Sequence, residues 1–173
     1  MSQYTLTPCH PNPTFKAREF LQTAQSGELP GTELSALEQL WPRTLNALHA
    51  WRIDAGPQGS WLLLWLDETL ERAVEERFEH SPAQGFLEHA LAVHCVMAAA
   101  ANLVPELASH GCAPVPEPHP AVGWAVNELG LSWPERDTLC RRYSLLTRMP
   151  FAGGCEDCTL AHNCPRHKTT TAP

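Results

Sequence analysis

The sequence predicts an all-α fold, an irregular helical bundle with a C-terminal cysteine-rich knuckle that binds a metal or a cluster. Three observations support this prediction. Apolar residues recur at helical spacing in several segments, and residues typical of helix starts and ends separate these segments. Four of the seven cysteines lie within the last thirty-four residues. At 173 residues, the chain is long enough to bury a core without a metal.

Two helices are predicted in the first fifty residues. The first runs over 15–25 and ends near Gly27. Thr32 can cap the second helix, and Pro42 lies inside it, so we expect a break or a kink there. The apolar stripe of the second helix consists of Leu34, Leu37, Leu40, Trp41, Leu45 and Leu48.

The apolar run 61–66 fits two kinds of structure. Its length suits a short buried strand, but its helical register continues through later apolar positions, with Glu and Arg on the other face. These later positions are Leu70, Val74 and Phe78. We therefore predict one helix over 61–79.

A long helix is predicted to begin at Ser81, a favoured N-cap followed by Pro82 at the first helical position, and to end near Asn102. The stretch 86–104 is apolar enough to suggest a membrane span. It contains Glu88 and two histidines, however, and a charge inside a span costs several kcal/mol. We expect a core helix and no membrane span.

Four prolines within 113–120 predict an extended, stiff connector. The connector divides the chain into a helical body over 1–112 and a C-terminal part over 121–173. This division would separate the apolar helices from most of the cysteines.

The C-terminal part is predicted to contain two helices and the knuckle. The first helix runs over 121–129. A capping box at Ser132 starts the second, which continues to about Arg148 and carries Cys140. The tail from His167 is predicted to be disordered.

The net charge of −7 argues against a general nucleic-acid binder. The charge is uneven, because residues 136–173 include six basic and three acidic residues, whereas residues 1–135 include six basic and sixteen acidic residues. The first ten residues lack the pattern of a signal peptide, and the number of cysteines is odd. We therefore expect a reducing cytoplasm and no disulfide framework.

Three cysteines have the spacing of a metal-binding loop. Cys155 and Cys158 are separated by two residues, and Cys164 follows after five more, which gives Cys-x2-Cys-x5-Cys. Gly153 and Gly154 supply the backbone freedom that a tight ligand loop needs. Thiolates in such a loop suit zinc or an iron–sulfur cluster.

A fourth ligand is needed, and Cys140 is predicted to supply it from the end of its helix. Cys112 is the alternative, and His162 or His167 would complete a zinc site with one histidine. Structural zinc sites usually combine two clips, whereas this chain has one clip and two single cysteines, so an iron–sulfur cluster is favoured. The predicted ligands of this 2Fe–2S or 4Fe–4S cluster are Cys140, Cys155, Cys158 and Cys164.

The C-terminal part contains, in order, the segments Cys140-Arg-Arg-Tyr143, Met149-Pro150 and Cys155-Glu-Asp-Cys158-Thr-Leu160. Together they resemble the C-terminal motif of the FhuF-like ferric-siderophore reductase family. The resemblance implies a 2Fe–2S cluster on four cysteines and reduction of Fe(III) bound to hydroxamate siderophores in the cytoplasm. Three features differ from the motif: Leu139 replaces the first of two adjacent cysteines, the loop is longer, and Cys164 is additional.

The Cys-x2-Cys-x5-Cys spacing is also similar to the 4Fe–4S loops of iron–sulfur DNA glycosylases and of nitrogenase molybdenum-donor accessory proteins. In both, the remaining cysteine lies closer to the clip than Cys140 lies to Cys155. This resemblance implies a 4Fe–4S cluster and no particular activity.

The sequence thus predicts an iron–sulfur redox protein, in the specific form of a ferric-siderophore reductase. An electron-donor protein and a ferric siderophore are the expected partners. Two alternatives are an accessory protein that delivers a metal or cluster to another enzyme, and a zinc-stabilised interaction module. Arg141, Arg142 and Arg148 are predicted to offset the negative charge of a cluster or to guide an acidic donor.

Overall fold

A computed structural model describes residues 4–117, 119–132, 139–151 and 154–164 of the protein. Its helices are α1 (Ala17–Thr23), α2 (Gly31–Asn46), α3 (Glu68–His80), α4 (Pro82–Leu103), α5 (Glu106–His110) and α6 (Pro120–Glu128). Its strands are β1 (Thr5–Pro8), β2 (Leu48–Asp54), β3 (Ser60–Leu66) and β4 (Ser144–Arg148). The predicted disordered tail lies outside the described residues.

The four strands form one antiparallel sheet in the order β1-β2-β3-β4. Strand β3 pairs with β2 along one edge, where Leu48 lies opposite Leu66. It pairs with β4 along its other edge, where Trp61 lies opposite Arg148. The prediction of an all-α fold is therefore wrong, and the protein is a mixed α and β structure.

The run 61–66 is the first reason for this error. It forms β3, and a new helix begins at Glu68 with Asp67 as its N-cap, whose side chain accepts a hydrogen bond from the Leu70 N–H at 2.8 Å. Every residue of the run is buried, since both faces of the strand are covered. A strand covered on both faces lacks the alternation of apolar and polar residues that would have distinguished it from a helix.

The predicted helix from Ser132 to Arg148 is the second error. Residues 133–138, which hold most of its capping box, lie outside the described part of the chain. From Leu139 to Tyr143 the backbone is not helical, and β4 follows at once. The sequence Ser-Leu-Leu-Thr-Arg of β4 is compatible with both structures, and pairing with β3 decides between them.

Two apolar layers lie on opposite faces of the sheet. On one face, Leu62, Leu64 and Leu66 pack against the helices that precede the connector. On the other face, Trp61 and Leu63 pack against α6. Because side chains alternate along a strand, β3 contributes to both layers. Burying each leucine stabilises the fold by about 2 kcal/mol.

Helix α4 confirms the predicted long helix in extent, and it lies in the first of these layers. It is long and apolar enough to cross a membrane by composition, with a mean hydropathy of 1.4 in its most apolar window, of which 44% is buried inside the protein. Helix α2 covers most of its predicted range, but its N-cap is Pro30 and not Thr32, and Leu48 belongs to β2. The helix also continues through Pro42 without the expected break.

The chain on the two sides of the connector is joined in one sheet, since β4 lies after the connector and β3 before it. The connector itself packs on β4. The buried hydroxyl of Thr147 donates a hydrogen bond to the Pro114 carbonyl at 3.1 Å. This contact holds the connector close to the end of β4 from which the knuckle continues.

The start of β4 is held by a buried carboxylate on α3. Glu71 accepts hydrogen bonds from the backbone N–H groups of Arg142 at 2.7 Å and Tyr143 at 3.4 Å. The Arg141 guanidinium lies 3.7 Å from the same carboxylate. Buried carboxylates require such partners, so the entry of the chain into β4 is fixed.

Helices α3 and α4 approach closely at Gly85, which generates a test of their packing. A Cβ at this position would lie 2.6 Å from Cγ and 2.9 Å from Cα of Phe78. We expect Gly85→Ala to lower the free energy of unfolding by about 1–3 kcal/mol, measured by urea denaturation.

Gly123→Ala on α6 is the matched control. A Cβ there meets nothing within 4 Å, so helix propensity should stabilise this variant by about 0.5–1 kcal/mol. Equal effects of the two substitutions would contradict the close α3–α4 contact.

His94 on α4 generates a prediction about pH. It is buried among the rings of Phe15, Phe20 and Trp41, and its Nε2 has no hydrogen-bond partner among the described residues. Burial lowers the pKa of His94 below its ordinary value of 6.5. Protonation therefore favours the unfolded chain, and stability should be lost as the pH falls below 6.5 and through the lower pKa of the folded state.

The measurement is the urea midpoint from about pH 7.5 down to about pH 5, the range in which histidines titrate. His94→Leu should flatten the decline, whereas replacement of the exposed His10 by Leu should leave it unchanged. A decline that stays equally steep in His94→Leu would assign the pH dependence to other groups.

Candidate functional site

The knuckle of residues 154–164 is built from two short turns. The first 3-10 turn spans Cys155–Asp157, and the Cys158 N–H donates to the Cys155 carbonyl at 3.4 Å. The second spans Ala161–Asn163, and the Cys164 N–H donates to the Ala161 carbonyl at 3.2 Å. All three cysteines are therefore fixed by the ends of local turns, and all three are partly exposed.

The connector docks onto the knuckle through Val115. The Thr159 N–H donates to the Val115 carbonyl at 3.0 Å, and the Thr159 hydroxyl donates to the same oxygen at 3.3 Å. In return, the Val115 N–H donates to Sγ of Cys158 at 3.4 Å. This hydrogen bond orients the Cys158 side chain in the knuckle, as such bonds orient the ligands of metal sites.

Helix α5 ends close to the knuckle at His110. The His110 ring lies 4.6 Å from the Phe151 ring. A Cβ on Gly154 would lie 3.7 Å from the Cε1 atom of His110. The helix ends at Gly111, whose φ of +69° suits glycine, and Cys112 follows. Cys112 is thus placed between His110 and Val115, both of which lie against the knuckle.

Cys140 lies before the start of β4, whereas the knuckle follows the end of this strand, and the role of Cys140 as the fourth ligand stays a prediction. Cys140 lies before β4 and the knuckle lies after it, so the length of Ser144–Arg148, roughly 14 Å, separates them along the strand. Its backbone N–H donates to the Ser132 carbonyl at 3.0 Å. The predicted placement rested on a helix ending beside the knuckle, and β4 takes the place of that helix.

Cys140 has its own local environment. Its Sγ accepts a hydrogen bond from the Ser132 N–H at 3.4 Å, and the side chain is exposed. Partial burial raises the pKa of the Cys140 thiol, but the hydrogen bonds with Ser132 and the charge of Arg141 outweigh it, so this pKa lies below its ordinary value. By contrast, burial raises the pKa of Cys95 to about 12.

The seven cysteines all lie in the described part of the chain, and none of them forms a disulfide. Within residues 4–117, 119–132, 139–151 and 154–164, no three His, Cys, Asp or Glu side chains converge closely enough to hold a metal ion. The binding of a metal at the knuckle therefore stays a prediction, and it requires the cysteine sulfurs to move closer together.

A cavity of about 300 Å³ opens beside Cys158. Its lining consists of Glu117, Arg148, Glu156, Cys158 and Thr159. The Arg148 guanidinium carbon lies over the Trp61 ring, 5.8 Å from its centre, which is a cation–π contact. The cavity is polar, and it carries a basic group next to a sulfur.

The three arginines singled out in the sequence lie in two places. Arg141 and Arg142 pair with acidic residues of α3, namely Glu68, Glu71 and Glu75, at the start of β4. Arg148 alone among the three lies at the end of β4, beside Cys158. Strand β4 places Arg148 far from Arg141 and Arg142. The sequence analysis predicted a helix here and therefore grouped the three arginines together.

Sequence reasoning assigned no site role to His110 and kept Cys112 only as an alternative ligand. The signal for both was weak, since they lie more than forty residues before the knuckle along the chain. Their position follows from the connector, which docks on the knuckle through Val115 and carries α5 with it.

The environment of Cys140 generates a prediction about thiol reactivity. Its exposure and its lowered pKa should make it react with iodoacetamide faster than Cys95, whose thiol is buried and protonated at neutral pH. Removing the neighbouring charge by Arg141→Gln should slow the reaction of Cys140. Mass spectrometry of peptides after timed alkylation measures both rates, with Cys140→Ser identifying the modified peptide.

The lowered pKa would be contradicted if Arg141→Gln left the alkylation rate of Cys140 unchanged at several pH values.

No protein-family model, curated protein or solved structure gives a significant match to this chain. The knuckle is therefore interpreted from its own geometry. Three cysteines on two short turns, an N–H directed at one sulfur and a polar cavity beside that sulfur favour chemistry based on thiolates.

Proposed function

We propose that this protein holds an iron–sulfur cluster at its knuckle and serves in one-electron transfer, with the iron of a ferric chelate such as a siderophore as the electron acceptor. The single observation that supports this most is the hydrogen bond from the Val115 N–H to Sγ of Cys158. Hydrogen bonds to cysteine sulfurs tune the reduction potentials of iron–sulfur clusters, and they orient ligands of metal sites generally.

The donor set fits such a cluster chemically. Cys155, Cys158 and Cys164 are three thiols on one loop, and we assign Cys112 as the fourth ligand because it lies three residues before Val115, which contacts the knuckle. Cys140 is no longer the preferred fourth ligand because β4 lies between it and the loop. A bound cluster supplies one-electron transfer, which none of the protein's ordinary side chains provides.

The chain contributes by placing charge and apolar surface around the ligands. The Val115 N–H offsets negative charge on Cys158, and Arg148 adds a positive charge nearby. Leu160, which lies between Cys158 and Cys164, is 56% exposed. An exposed apolar side chain beside a redox centre suits brief contact with an electron-donor protein.

Zinc would give the same knuckle a structural role, and a labile cluster would make the protein an accessory for delivery to another enzyme. These alternatives differ in measurable ways. An iron–sulfur protein absorbs visible light and gives an EPR signal in one redox state, whereas zinc is spectroscopically silent. A delivery protein would transfer its cluster to an acceptor without reducing a ferric chelate.

The test is anaerobic purification followed by determination of iron, sulfide and zinc, with absorption and EPR spectra. We expect iron and sulfide in stoichiometric amounts, and oxidation of the dithionite-reduced protein by a ferric chelate. Zinc without iron would overturn the proposed function.

The ligand assignment is tested by single Cys→Ser substitutions. Cys112→Ser, Cys155→Ser, Cys158→Ser and Cys164→Ser should each lower the iron content and alter the spectrum, because a ligating thiolate is lost. Cys140→Ser is the matched control and should retain both. Loss of the cluster in Cys140→Ser but not in Cys112→Ser would restore the assignment predicted from sequence and contradict the one that the fold favours.

A further inference from the structure

The cavity beside Cys158 is lined by a basic group at the end of a core strand. Arg148 is the last residue of β4, and the N–H of the next residue, Met149, donates to the Ser60 carbonyl at 3.1 Å. Trp61 supports the guanidinium from one side. Gly59, with φ of +121°, lies beside it, and a Cβ there would make an ordinary contact of 3.5 Å with Nη1 of Arg148.

Arg148 forms no ion pair with any acidic side chain in the described parts of the chain, although Glu117 and Glu156 line the same cavity. A guanidinium presents several N–H donors in a planar fork, which matches a pair of oxygens on one ligand. Arg148 and Cys158 both line this polar space.

We propose that Arg148 and this cavity form a binding subsite for one bidentate oxygen-donor arm of a metal chelate. The inference rests on the proposed function for the role of the bound chelate, and it deepens that function by placing the acceptor. Binding itself depends on the residues of the cavity and needs no metal at the knuckle.

Volume and charge limit what the subsite accepts. About 300 Å³ lies at the lower end of ligand cavities, so the cavity admits one arm of a large chelate and leaves the rest in solvent. One guanidinium and two carboxylates line it, so a chelate with several negative charges would be repelled. The subsite therefore favours a chelate with low net charge and paired oxygens.

The experiment measures binding of a redox-inert probe, the neutral gallium(III) complex of a linear tris-hydroxamate, by isothermal titration calorimetry on the purified protein. Arg148→Ala should weaken binding by about tenfold or more, because charge-assisted hydrogen bonds are lost. Arg148→Lys should recover part of the affinity, since it keeps the charge but not the fork. Arg72→Ala, at an exposed position of α3, is the matched control and should bind as the wild type does.

Circular dichroism and iron content establish that each variant is folded and loaded as the wild type is. Equal affinities of Arg148→Ala and the wild type, or no binding by the wild type, would overturn the subsite. Binding of inorganic phosphate as tight as that of the gallium chelate would also overturn it, because the site would then be a general anion site.

The subsite and the proposed function fail in different ways. A protein without iron that still binds the gallium chelate through Arg148 would retain the subsite and lose the redox role. A protein with its cluster, in which Arg148→Ala binds the chelate unchanged, would retain the redox role and lose the subsite.

Discussion

Strand β3 is covered on both faces and paired along both edges, and the rest of the structure depends on this burial. Residues 61–66 are all buried, with three leucines directed to the layer of α4 and the two tryptophans directed towards α6. Burial of six large apolar residues stabilises the fold by roughly 10 kcal/mol or more before chain entropy is considered. Water is excluded from the backbone of β3, so its N–H and C=O groups must be satisfied by neighbouring strands. Strand β4 meets this requirement along one edge, and it therefore belongs to the core and not to an appended domain.

The position of β4 determines which residues can form a common site. Glu71 fixes the chain at Arg142 and Tyr143, at one end of the strand, and Thr147 binds the connector near the other end. Cys140 consequently lies at the Glu71 end, while the knuckle lies at the connector end. The connector contacts the knuckle through Val115, and Cys112 lies three residues before this contact.

The knuckle combines features that serve different parts of the proposed electron transfer. Its sulfurs lie on two short 3-10 turns, whereas Arg148 lies at the end of a strand of the core. In the proposed function, a basic group on the sheet and ligands on a loop separate the recognition of an acceptor from the coordination of a metal. The exposed Leu160 offers a third, apolar element at the surface.

The sequence by itself determined the long helix from Pro82 to Leu103, the short helix after the connector and the local spacing of the three knuckle cysteines. These features depend on capping residues, prolines and near neighbours, which act over a few positions. Only the tertiary structure decided that 61–66 and 144–148 are strands, because each run is compatible with a helix until pairing and burial on two faces select the extended form. The same long-range contacts decided that Cys140 and the knuckle lie at opposite ends of β4 and that Arg148 and Val115 lie beside the knuckle, since contacts between distant residues leave no periodic signal in the chain.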